Sequence, residues 1–81
     1  MHVDVRLFAS YREKTGASSI TVEVPASATV GCLAEEMVSR YPEIIDDPGR
    51  LIVAVNYEYR DHLHCLKEGD EVALIPPVSG G

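Results

Sequence analysis

An α+β roll, in which one amphipathic helix lies across a mixed β-sheet, is the fold class that three features of this 81-residue chain predict. Two segments of alternating apolar and polar residues open the chain, a single apolar stripe of helical period follows, and two further strand-like runs come after it. The order strand, strand, helix, strand, short strand, strand leaves one main helix to cover one face of a sheet. A chain of this length holds one core and buries roughly 60–65% of its unfolded surface, with no room for a deep active site.

Val3, Val5 and Leu7 alternate with His2, Asp4 and Arg6, as in a strand with one buried face. A short polar stretch of helical character runs from Ala9 to Lys14 and ends at Gly16. Ile20, Val22 and Val24 alternate with Thr21 and Glu23 to give a second strand, stopped by Pro25, so the first two strands read as a hairpin with a long connection. Thr29 is placed to cap the main helix. There Val30, Leu33, Ala34, Met37, Val38 and Tyr41 form one stripe, closed by Pro42.

Asp46, Asp47, Pro48 and Gly49 mark a loop between Ile44 and Arg50. Leu51-Ile52-Val53-Ala54-Val55 is an uninterrupted apolar run, which predicts a strand buried on both faces. Asn56 and Tyr57 suit a turn into the shorter, more polar segment Glu58 to Arg60, and Gly69-Asp70 turns the chain into the last strand, Glu71 to Ile75. The result is a roll of the β-grasp kind over residues 1–75, followed by an extended tail over residues 76–81.

Thirteen acidic against seven basic residues give a formal charge of −6, which argues against nucleic acid and anionic membranes as partners and favours a positively charged protein surface. The N-terminal residues lack the basic start and apolar run of a signal peptide, and no stretch approaches the roughly 20 apolar residues needed to cross a bilayer. A cytoplasmic location is expected. Cys32 and Cys65, in no metal or redox spacing, suit reduced thiols.

The closing residues, Pro76-Pro77-Val78-Ser79-Gly80-Gly81, hold the main functional signal. Terminal glycines lose the most freedom on ordering, so their use here is thinness: they thread a channel too narrow for other residues. Pro76 and Pro77 lack amide hydrogens, end the strand and stiffen the base of the tail. Six residues beyond Ile75 reach at most about 20 Å. The terminal carboxylate of Gly81 is the expected reactive group, and mobility is expected beyond Val78. A carboxylate reacts only after activation, most simply as an acyl-adenylate made from ATP. With no phosphate-binding glycine loop and no metal-ligand cluster in the chain, that chemistry is expected in trans.

Other side chains carry plainer readings. Cys32 falls on the polar side of the helix near its N-terminus, where the helix dipole lowers a thiol pKa, and Cys65, beside Leu63 and Leu66, reads as a small core residue. His62 and His64 share one side of any extended segment, but no third ligand is fixed, so no metal site is expected. His2, Asp4 and Arg6 read as a solvated strand face. Glu35, Glu36 and Arg40 read as the wet side of the helix, with Glu36 and Arg40 as an i,i+4 pair.

Taken together, Leu7-Phe8-Ala9, Arg12-Glu13, Ala54-Val55-Asn56, Gly69-Asp70-Glu71-Val72-Ala73 and the block from Ile75 to Gly81 give the chain a resemblance, over essentially its whole length, to a known family. It resembles the sulfur-carrier family of the small subunit of molybdopterin synthase (MoaD) and the thiamine sulfur carrier ThiS. The resemblance implies a ubiquitin-like β-grasp fold and a carrier that is not an enzyme on its own and binds no permanent cofactor. It implies that an ATP-dependent E1-like activating enzyme adenylates Gly81, and that a sulfur donor protein converts the adenylate to a thiocarboxylate. The tail would then enter the large synthase subunit, where the sulfur builds the molybdopterin dithiolene, in a heterotetramer of two small and two large subunits. Phe8, Tyr59 and Ile75 stand where the family docks on its partners, with Tyr59 more polar than the leucine associated with that place. A carrier for thiamine or cysteine synthesis, a ubiquitin-like modifier of lysines, and a binding module with a passive tail stay open as alternatives.

Overall fold

The structure, a computed structural model, describes residues 1–44 and 47–76. Five strands form one sheet in the order β2-β1-β5-β3-β4: β1 (His2–Leu7), β2 (Ser19–Glu23), β3 (Ile52–Val55), β4 (Glu58–Arg60) and β5 (Glu71–Ile75). β1 and β5 run parallel at the centre, and the other neighbours are antiparallel. Two helices, α1 (Ala9–Thr15) and α2 (Val30–Arg40), and one 3₁₀ turn at Pro48–Arg50 complete the roll.

The alternation along the strands sorts the sheet into two unlike faces. Val3, Val5 and Leu7 of β1, Val53 and Val55 of β3, and Val72 and Leu74 of β5 point into the core. Across from them α2 buries Val30, Leu33, Ala34 and Met37, while Val38 and Tyr41 pack at the margin. Each such Leu or Met contributes about 1.5–3 kcal/mol by leaving water. Thr29 caps the helix as its residue type predicts, its hydroxyl accepting from the Cys32 amide at 3.3 Å. α1 closes at Gly16, whose φ of 77° completes a left-handed cap. Its single buried residue, Tyr11, anchors a helix that reads as merely polar in sequence.

Three expectations need correction. β3 is not buried on both faces: Val53 and Val55 face the core, but Ile52 is 43% exposed and Ala54 half-buried, because no element among the described residues is packed over the outer face there. Cys65 is exposed and not a core residue. It bridges Thr29 in an isolated antiparallel pair, which turns the neighbouring Leu66 inward and leaves the thiol outside. His62 lies in a turn and not in an extended segment, so the shared side imagined for His62 and His64 does not form. The 44–50 loop holds a buried Ile44 and the 3₁₀ turn, with Asp47 capping the latter through Gly49; Asp46 lies outside the described residues.

Candidate functional site

The outer face of the sheet carries an apolar concavity of about 270 Å³ at its centre. Ala54, Ala73 and Ile75 make its floor, Phe8, Tyr57 and Tyr59 its walls, and Arg6 and Glu71 its polar rim. Register explains the floor. Ala54 and Ala73 are cross-strand partners, as are Ile52 and Ile75, so two small side chains lie between larger ones.

Each wall comes from a different turn. Phe8 follows β1 with an extended backbone, and the next residue, Ala9, has φ 47°. That left-handed step costs about 1–2 kcal/mol in a residue with a Cβ, and it leaves Phe8 44% exposed on the outer side. Tyr57 and Tyr59 come from the two-residue turn and edge strand after β3 and are 83% and 73% exposed. At the rim, Arg6 and Glu71 approach to 4.0 Å, a loose pair. Hydrogen bonding to the Glu71 carboxylate, and the negative charge there, hold the Tyr57 phenol above its usual pKa.

The structure therefore brings together Phe8, Tyr59 and Ile75, the three residues singled out from the sequence, and adds Tyr57, Ala54 and Ala73. A signal for the added alanines was present. An apolar run in a strand with only one covered face must leave apolar residues on the other. The last described residue, Pro76, directly follows Ile75 at the edge of this concavity. Pro77, Val78, Ser79, Gly80 and Gly81 lie outside the described residues.

The remaining candidates sit apart. His62 donates its Nε2 hydrogen to the Leu51 carbonyl at 2.9 Å, which is a structural link. Among the described residues no three His, Cys, Asp or Glu side chains are grouped to hold a metal. The Thr29 hydroxyl hydrogen-bonds the exposed Cys32 sulfur at 3.4 Å, and this bond, followed by hydrogen bonding from the Thr29 backbone, lowers the thiol's pKa. Glu36 and Arg40 pair at 2.8 Å on the helix surface, and Asp4 accepts from Thr21 on the solvated strand face. No helix among the described residues is long and apolar enough to cross a membrane.

A mixed five-stranded sheet with one helix packed across it defines a ubiquitin-like β-grasp fold, here with an apolar outer face. The sequence matches the ThiS family over residues 5–81, and the chain belongs to that family. It is similar to the molybdopterin synthase sulfur carrier subunit of Homo sapiens, at 42% identity over 82 residues covering 98% of this chain and 93% of the relative. Its fold is similar to that of SAMP1 from Haloferax volcanii, with a TM-score of 0.84, 32% identity and full coverage of both chains. It is also similar to a chain in the complex of subunits 1 and 2 of the molybdopterin-converting factor from Helicobacter pylori, with a TM-score of 0.68, 26% identity and full coverage of both chains.

Proposed function

We propose that this chain is the sulfur carrier subunit of molybdopterin synthase. The observation that carries the reading is the full-length similarity to relatives bearing that name, joined to an apolar face lined by Ile75, which immediately precedes the closing Pro76–Gly81 block of the sequence. In this cycle the Gly81 carboxylate attacks the α-phosphate of ATP on an activating enzyme, forming the acyl-adenylate and releasing pyrophosphate. Sulfur handed over at the sulfide level by a donor protein then attacks the acyl carbon, forming the C–S bond of a thiocarboxylate as the C–O bond to the departing AMP breaks. Pro76, Pro77, Val78, Ser79 and Gly80 deliver it into the large subunit, whose contacts fall on Phe8, Tyr59 and Ile75. The heterotetramer of two small and two large subunits is the expected assembly, and the cytoplasm the expected place.

The domain's own part is to present and not to catalyse. Its outer face gives a partner an apolar, aromatic footing, and the short tail limits where the carboxylate lands to about 20 Å from Ile75. Incubation with ATP, the cognate activating enzyme and a sulfur source should raise the mass by about 16 Da, one oxygen replaced by sulfur. An unchanged mass refutes the reading. Removing Gly81, or adding a residue after it, should abolish sulfur transfer and leave the fold intact.

A second reading is favoured by the likeness to SAMP1, whose name describes a small archaeal modifier protein. The same activated Gly81 would then be attached to a lysine of a target protein. Isopeptide-linked Gly-Gly remnants on other proteins would establish it, and their absence in cells that make the thiocarboxylate would exclude it.

A further inference from the structure

Two sequence blocks behind the family resemblance, Ala54-Val55-Asn56 and Gly69-Asp70-Glu71, belong neither to the tail nor wholly to the core, and in the fold they meet. The Asn56 amide donates to the Glu71 carbonyl at 2.8 Å. Its side-chain oxygen accepts from the Glu71 amide at 3.0 Å, and its side-chain nitrogen donates to Asp70 Oδ1 at 3.0 Å. Asp70 is held in turn, because its other oxygen accepts from the Lys67 amide at 2.8 Å. Both ends of the Asn56 side chain are thus spent on the two residues that lead into β5.

We infer that Asn56 is the positioning residue of the docking face, clamping the β3–β4 turn to the start of β5 so that Tyr57 and Tyr59 stand opposite Phe8 and Ile75. This rests on the docking role proposed above. The reason lies in how little else holds β4. It has three residues, all exposed, and among the described residues it pairs only with β3, at the sheet edge. No buried side chain of its own fixes its angle.

Asn56 and Tyr57 both have positive φ, 51° and 72°. Asparagine adopts that conformation readily, whereas a bulky residue such as tyrosine needs its neighbours to hold it. The clamp provides that hold at the residue just before. Through Glu71 it also reaches the rim, where the carboxylate faces Arg6 and Tyr57. The core side of the same strands, Val53, Val55 and Val72, closes without it. Losing the clamp should therefore swing one wall of the concavity and leave the core as it is.

The variant Asn56→Gly separates these effects, since glycine keeps the left-handed turn and deletes both side-chain bonds. In the isolated chain, amide hydrogen exchange should rise over residues 57–60 and stay unchanged at Val5 and Val72. Binding to the large subunit of molybdopterin synthase should weaken roughly tenfold, with the single-turnover transfer rate of the bound complex unaltered. In a Tyr57→Ala/Tyr59→Ala background the same change should cause no further loss of binding. Exchange that rises equally in the core strands, or losses that add fully, would overturn the inference. A wild-type chain that does not bind the large subunit would instead refute the carrier reading, and the exchange comparison would still decide the role of Asn56.

Discussion

Replacing Tyr59 by alanine tests the outer face most directly, because the ring stands at the concavity yet contributes little to the fold. A tyrosine covers about 150–250 Å² when fully buried, and Tyr59 is 73% exposed, so about 110–180 Å² is left for a partner to cover. At about 25 cal/mol per Å² this is about 3–4.5 kcal/mol before costs. Ordering the ring and desolvating its hydroxyl reduce the figure to about 2–3 kcal/mol, which is the range of an aromatic anchor in an interface. Tyr59→Ala should therefore weaken binding to the large subunit roughly 30- to 150-fold. The fold should lose less than about 0.5 kcal/mol, since a surface side chain is being removed. Titration calorimetry measures the first quantity and urea denaturation the second. Unchanged affinity refutes the assignment of the face, and a large loss of stability refutes the claim that Tyr59 is free of the fold.

The core and the helix cap give two further tests. Leu74 is fully buried on the central strand β5, so Leu74→Ala should cost about 3 kcal/mol in urea denaturation, and a loss below about 1 kcal/mol would contradict the packing described. Thr29→Val removes the hydroxyl that caps α2, with an expected loss of about 1 kcal/mol. It also removes the main cause of the lowered Cys32 pKa. With Cys65→Ser as background, the midpoint of the pH profile for alkylation should move up toward that of an ordinary thiol, and the rate at neutral pH should fall. The sign for stability follows from linkage. A depressed thiol stabilises the fold above its unfolded pKa, and that contribution is lost as pH falls through the folded value, so the gap between parent and variant should widen on the alkaline side.

The elements near their own sequence signals were the most legible. Thr29 before the stripe of Val30, Leu33, Ala34 and Met37 marks the start of α2, and the alternation of Val3, Val5 and Leu7 marks β1, since each pattern is one period repeated along one element. Asn56-Tyr57 and Gly69 announce their turns for a similarly local reason, which is backbone in the left-handed region. The burial of Ile44 and Leu66 was not legible, because each lies outside any periodic run and is covered only by distant parts of the chain. Cys65 was misread for the same cause: the isolated bridge to Thr29, 36 positions away, turns it outward.

The sequence by itself determined the class of fold and the order of its elements, because periodicity and capping are local properties. Only the tertiary structure decided which face those elements leave open. Leu51 to Val55 reads as doubly buried in isolation, and it becomes part of an apolar outer face because α2 covers a single side of the sheet. Strand register then set Ala54 beside Ala73 and Ile52 beside Ile75, and the turns brought Phe8 and Tyr59 around them. Residues from positions 6 to 75 meet there through long-range pairing, a relation that no local pattern along the chain encodes.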